Sequence, residues 1–187
     1  AISQAGPEKD ERQGQMTERK DVIKFKGNPL TLVGDPVKVG QKMPDFTVLG
    51  NDLSEVKLSS FAGKVVILSL VPSLDTPVCS VETRRFNEEA SKLGDGVVVL
   101  TVSMDLPFAQ KRWCAAEGID RVITASDHRD AAAGKATGML IKELRLLTRA
   151  VFVLDRKGTI VYEQVVPEVT HEPDYEAAIA AAKNVLK

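Results

Sequence analysis

The run Val65-Val66-Ile67-Leu68-Ser69-Leu70-Val71 is almost unbroken apolar sequence, rich in β-branched side chains. It reads as a strand buried on both faces, which demands a layer of structure on each side of it. Turn-forming residues follow, and Thr76-Pro77 marks a helix start, with Thr at the N-cap and Pro at the first helical position. Cys79 therefore falls in the first helical turn, where unpaired backbone N–H groups and the positive end of the helix dipole favour an anion. A thiol so placed is biased toward the thiolate. A lone cysteine after a buried strand also has a plainer reading, as a small core hydrophobe. The surrounding residues have to decide between the two.

Composition narrows the classes of function. The 187 residues are 43% hydrophobic and 27% charged, the profile of a globular chain long enough to bury a core. With 25 basic and 26 acidic residues the net charge is −1, which gives no support to a nucleic-acid or membrane surface. No apolar run approaches the ~20 residues of a membrane span. Two cysteines are too few for a secreted disulfide scaffold, and point to catalysis, redox change or packing.

Residues 1–16 are polar and charged without helical or strand period, and read as a disordered tail or an added leader, with Met16-Thr17 as a candidate internal start. No apolar leader region is present, so a cytoplasmic location is the expectation, although a processed export signal would leave no trace. Residues 17–187 are expected to form one domain. Val22–Phe25 and Leu30–Val33 flank the turn signal Lys26-Gly27-Asn28-Pro29 and predict a hairpin. Phe46–Leu49 and Val56–Leu58 predict a second short pair. After the strand at 65–71, a helix runs to about Lys92, with Phe86, Ala90 and Leu93 on its inner face. Val97–Ser103 is a second buried strand, Pro107–Glu117 a second helix with Ala109, Trp113 and Ala116 on one face, and Val122–Thr124 a short strand. Ser126–Asp130 reads as a polar loop. Ala150–Leu154 and Thr159–Tyr162 form a hairpin, and a closing helix carries Tyr175, Ile179, Ala182 and Leu186 on one side. Right-handed crossovers make the first two central strands parallel. The expected class is α/β with a thioredoxin-like fold: a central mixed sheet flanked by helices, with an N-terminal β-hairpin extension. Chemistry in such open sheets sits at the C-terminal ends of the parallel strands.

Several motifs are missing. There is no Gly-x-Gly-x-x-Gly, no Walker-type phosphate loop and no Gly-x-Ser-x-Gly elbow. The histidines His128 and His171 and the two cysteines lack finger spacing, so neither a metal nor an organic cofactor is expected. Cys79 and Cys114 lie one strand–helix unit apart and can share one edge of the sheet. They are not a Cys-x-x-Cys pair, which argues against a thioredoxin-type reductase. A static disulfide closing so long a loop is conceivable. Bridging, however, needs Cα atoms within about 7 Å, and both cysteines lie in predicted helices. A disulfide made by local unwinding fits catalysis better than structure.

The string Pro72-Ser73-Leu74-Asp75-Thr76-Pro77-Val78-Cys79 resembles the Pro-x-x-x-Thr-x-x-Cys pattern of peroxiredoxins. Extended to Asn87, and joined by Lys111-Arg112-Trp113-Cys114 and by Glu143-Leu144-Arg145-Leu146-Leu147-Thr148-Arg149, it is similar to the bacterial thiol peroxidase subfamily, atypical two-cysteine peroxiredoxins that form an intramolecular disulfide. The resemblance covers Met16 to Lys187. It implies that Cys79 is the peroxidatic cysteine and Cys114 the resolving one. It further implies that the Thr76 hydroxyl sits between the Cys79 sulfur and the peroxide, that Pro72 shields the thiolate, and that Arg149 stabilises thiolate and peroxide oxygens. The substrates implied are hydrogen peroxide and alkyl hydroperoxides, the reductant thioredoxin, and the assembly a homodimer. Two other classes of function keep the same cysteines: a redox-sensing module whose disulfide switches a partner surface, and a structural domain with inert thiols. Arg84 and Arg85 read as solvated helix charges.

Overall fold

A computed structural model describes residues 16–187; the expectation for the preceding tail lies outside the described residues. The strands are β1 (Glu18–Phe25), β2 (Asn28–Val33), β3 (Thr47–Leu49), β4 (Glu55–Lys57), β5 (Val65–Leu70), β6 (Val97–Ser103), β7 (Val122–Ser126), β8 (Leu140–Ile141), β9 (Leu146–Leu147), β10 (Ala150–Leu154) and β11 (Ile160–Val165). The helices are α1 (Pro77–Leu93), α2 (Pro107–Glu117), α3 (Ala132–Thr137) and α4 (Tyr175–Leu186), with a 3₁₀ turn at Leu58–Phe61.

The predicted buried strand β5 is at the centre. Its six residues are all buried, and the sheet runs in the order β11-β10-β5-β6-β7-β3-β4. β5, β6 and β7 are parallel, and the outer pairs are antiparallel, so the sheet is mixed as expected. Strand alternation divides the side chains between two layers. Val65 and Ile67 point, with Val97, Val99, Val151 and Val153, at Phe86 and Ala90 of α1 and Ala178, Ile179 and Ala182 of α4. Val66, Leu68 and Leu70 point the other way, with Leu100, Val102 and Phe152, into the larger core cluster.

The helices cover the two faces unequally. α1 and α4 pack on one face, whereas the other is closed mostly by a second sheet, β1-β2-β8-β9, with the short α3 beside it. β8, β9 and α3 were not expected from the sequence. Two-residue strands carry no readable period, and α3 is held from a distance. The Asp127 carboxylate accepts from the N–H groups of Ala133 (3.0 Å) and Gly134 (2.8 Å). Asp127 is thus buried in a stretch read as a polar loop, and burial, the largest influence on it, pushes its carboxyl up. The inner face of α2 also differs from the apolar pattern. Pro107 and Gln110 are its buried residues, while Ala109 and Ala116 are exposed. Gln110 faces inward because its side-chain N–H groups serve the Ser103 hydroxyl (2.9 Å) and the Ala125 carbonyl (2.8 Å) at the sheet's end.

The N-terminal hairpin turns on Lys26 and Gly27, both at positive φ, so Asn28 and Pro29 belong to β2 rather than to the turn. The hairpin is tied to the segment after β11. Lys24 exchanges backbone hydrogen bonds with Pro167 (2.7 Å) and Val169 (2.9 Å). Glu168 accepts from the backbone N–H groups of Lys26 (2.8 Å) and Gly27 (3.1 Å). These contacts, led by that from Gly27, hold the Glu168 carboxyl down to about 2. A carboxyl depressed in the folded state stabilises it fully above the unfolded value of 4.5 and loses that effect as pH falls toward about 2. Glu168→Gln should therefore flatten the acid limb of the pH–stability curve between those two values, read as Tm against pH. An acid limb unchanged in the variant would remove Glu168 as its source.

Candidate active site

The site lies where β5 ends. Val71, Pro72 and Leu74 are buried just beyond the strand, and the chain turns at Ser73–Thr76 into α1. Thr76 is the N-cap in extended conformation and Pro77 follows at the first helical position, as the sequence predicts. The Thr76 side chain does not cap the helix, however. Its hydroxyl donates to the Ser73 carbonyl at 3.0 Å, which tightens the turn. Cys79 is fully buried in the first turn, in a small apolar cluster with Val71 and Leu74 against which Trp113 packs.

Arg149 reaches this thiol from across the sheet. The antiparallel register of β10 on β5 pairs Ala150 with Leu70, so the residue just before β10 emerges at the end of β5. Arg149 is 2% exposed, and each of its nitrogens has a fixed partner. Nη2 donates to Cys79 Sγ at 3.1 Å, Nη1 to Glu82 Oε2 at 2.5 Å, and Nε to the Val169 carbonyl at 2.9 Å. Glu82 is itself fully buried, and its Oε1 accepts from the Ser69 hydroxyl at 2.8 Å. Burial alone would lower the Arg149 pKa, but Glu82 and Cys79 more than offset it, and the guanidinium is held in its charged form. Burial pushes the Glu82 carboxyl up, against the opposing pull of Arg149 and Ser69. A planar fork with three positioned donors is a task for arginine rather than lysine.

Of the five residues singled out in the sequence, the structure brings Cys79 and Arg149 into direct contact and sets Pro72 and Thr76 in the turn beside them. Among the described residues, Thr76 makes no hydrogen bond to the Cys79 sulfur. Cys114 stands apart. Both cysteines are free, and the half-buried Cys114 thiol contacts Thr124 Oγ1 at 3.3 Å rather than Cys79. Its neighbour Trp113, not Cys114, touches the Cys79 cluster. Arg84 and Arg85 are surface charges, paired with Glu117 at 3.0 Å and Glu89 at 3.6 Å.

Three contributors were missed in the sequence. Glu82 carried a usable signal: it lies three residues after Cys79 and four before Phe86, on the stripe that the helix must bury. A charge on a buried stripe needs a partner. Ser69 carried a weaker one, as the lone polar residue in the apolar run. Asp105 carried none. Its carboxylate accepts from the Ser73 hydroxyl (2.7 Å), the Leu74 N–H (2.8 Å) and the Ser103 hydroxyl (2.6 Å). It thus joins the turn before Cys79 to the end of β6, next to the start of α2. A cavity of about 320 Å³ lies between these segments, lined by Leu74, Asp105, Gln110 and Trp113 among others.

A thiol in the first turn of a helix, under a guanidinium whose charge is fixed by a buried carboxylate, is a site for a sulfur nucleophile. Comparison with known proteins places this chain in a family. The redoxin family model matches residues 38–179. The chain is 62% identical over 161 residues to a thiol peroxidase of Listeria innocua, covering 86% of this chain and 97% of that protein. It is 61% identical over 165 residues to a thiol peroxidase of Bacillus subtilis, covering 88% and 98%. The chain belongs to the redoxin family, in its bacterial thiol peroxidase branch. Among solved structures, a peroxiredoxin-like protein from Aquifex aeolicus superposes with a TM-score of 0.83 at 44% identity, covering 92% of this chain and 99% of that one. A thiol peroxidase from Chromobacterium violaceum, at 17% identity and a TM-score of 0.77 over 87% of this chain and 95% of that one, shares the fold.

This candidate site rests on a buried ion pair, Arg149 with Glu82, and removal of one partner strands the other's charge. Glu82→Ala should destabilise the protein by about 3 kcal/mol or more, and Glu82→Gln by less, since an amide still accepts a hydrogen bond. Urea unfolding of the two variants measures both values. Equal losses would mean that shape, not charge, is what Glu82 contributes.

Proposed function

We propose that this chain is a thiol-dependent peroxidase that reduces hydrogen peroxide and organic hydroperoxides. The observation that carries the proposal is the 3.1 Å contact between Arg149 Nη2 and Cys79 Sγ inside a buried pocket at the start of a helix. Cys79 attacks as thiolate on the terminal oxygen of the hydroperoxide. An S–O bond forms while the O–O bond breaks, and the departing oxygen takes a proton to leave as water or alcohol. Cys79 is left as a sulfenic acid. Negative charge moves from sulfur onto the departing oxygen in this step, and a preorganised donor beside both atoms lowers the barrier more than it stabilises the ground state. Arg149 is the donor in this reading. Thr76, whose hydroxyl donates to Ser73 in the resting turn, turns it to the peroxide when substrate enters, and Pro72 keeps water from the sulfur.

Cys114 then condenses with the sulfenic acid, and a small dithiol protein, thioredoxin, reduces the resulting disulfide by exchange. That both thiols are free, with Cys114 on Thr124 rather than on Cys79, supports a resolving step that opens the turn before α1 and the end of α2. The same reading makes the protein a cytoplasmic homodimer, within reach of a thioredoxin pool. Among the described residues no helix is long and apolar enough to cross a membrane.

Peroxide consumption coupled to thioredoxin tests the roles. Cys79→Ser should abolish turnover. Cys114→Ser should retain one stoichiometric burst and lose thioredoxin-supported turnover. Full turnover in the Cys79 variant would refute the assignment, and full thioredoxin turnover in the Cys114 variant would remove Cys114 as the resolving residue. Arg149→Lys should slow the peroxide-dependent burst by about 10²-fold, the scale for losing one donor aimed at a developing charge. An undiminished burst would show that the guanidinium is only structural.

A further inference from the structure

Cys114 makes a contact that the peroxidase reading does not use. Its Sγ lies 3.3 Å from Thr124 Oγ1 on β7, and that hydroxyl lies 3.1 Å from Asn51 Oδ1 in the turn between β3 and β4. A threonine hydroxyl has one proton to give. Since Thr124 gives it to Asn51, its oxygen is left as an acceptor, and Cys114 S–H is the donor. The chain of bonds runs one way: Cys114 to Thr124 to Asn51. Thr124 is 4% exposed, so little water competes for that oxygen.

We propose that Thr124, oriented by Asn51, is a positioning residue that parks the resolving thiol away from Cys79 until the sulfenic acid forms. The proposal rests on the disulfide reading above. In the parked state Trp113 stands against the Cys79 cluster, while the Cys114 thiol is turned to β7. To resolve the sulfenic acid, Cys114 must give up Thr124. The Cys114–Cys79 S–S bond then forms, the S–O bond of the sulfenic acid breaks, and the thiol proton leaves with that oxygen as water. The bond to Thr124 stabilises the reduced form and is absent from the product, so it slows resolution and favours the dithiol.

The test is rapid mixing of the reduced, full-length protein with hydrogen peroxide, followed through the fluorescence of Trp113, the single tryptophan. Thr124→Val keeps the shape and removes the acceptor. It should form the disulfide about two- to fivefold faster than the native chain, the effect of one neutral hydrogen bond, while the peroxide-dependent first phase is unchanged. Thr124→Ser keeps the hydroxyl and should restore the native rate. In a thiol–disulfide equilibrium with dithiothreitol, the Val variant should favour the disulfide by the same two- to fivefold. Thr124→Ala, which also removes the hydroxyl, should act in the same direction and serves if the Val variant does not fold. Resolution that is unchanged or slower in these variants overturns the latch. Mass spectrometry of the native chain after one equivalent of peroxide separates the two ideas. A Cys79–Cys114 linkage with unaltered variant kinetics leaves the disulfide reading standing without the latch, and no linkage refutes both.

Discussion

The burial of Arg149 is the constraint on which the rest of the structure depends. A guanidinium that is almost wholly removed from water must have its charge and its donors satisfied inside the protein. Glu82 supplies the countercharge, the Val169 carbonyl holds Nε, and the Cys79 sulfur accepts from Nη2. Those partners come from α1 and from the segment after β11, and Ser69 of β5 fixes the far side of Glu82. Three parts of the fold therefore converge on one charge. The cost of desolvating the pair is what makes the geometry strict: a small displacement of any partner leaves an ionised group unsolvated.

The same constraint gives the N-terminal hairpin a role beyond covering the sheet. Val169 is both the acceptor for Arg149 Nε and, through its own N–H, a partner of Lys24 in β1. Glu168 beside it clamps the hairpin turn. The hairpin thus braces the segment that orients the guanidinium, although it contributes no side chain to the site.

The two thiols are held by opposite means. Cys79 is enclosed by apolar neighbours and a cation, and the turn before it is pinned through Ser73 and Leu74 to Asp105. Cys114 is half-buried on a helix whose inner face is polar at Gln110 and whose outer residues are exposed. A well-braced thiol and a lightly held one suit the reactions proposed above, of which the first needs preorganisation and the second needs movement.

The local elements were legible in the sequence because each depends on near neighbours. The β-branched run at 65–71, the Thr76-Pro77 helix start, the limits of α2 and the hairpin over β10 and β11 all follow from period, caps and turn residues. Resemblance to peroxiredoxins singled out both thiols and Arg149, and of these the structure joins Arg149 to Cys79. What the tertiary structure alone decided is which polar groups meet. Glu82 finds Arg149 only because β10 lies antiparallel on β5 in a register that pairs Ala150 with Leu70. Asp127 caps a helix that begins several residues later, and Gln110 replaces the alanines on the inner face of α2, because buried backbone groups elsewhere in the chain need those partners. Hydrophobic period and turn chemistry are short-range and can be read along the chain. The pairing of buried charges and hydrogen bonds is long-range, and it exists only once strands distant in sequence lie side by side.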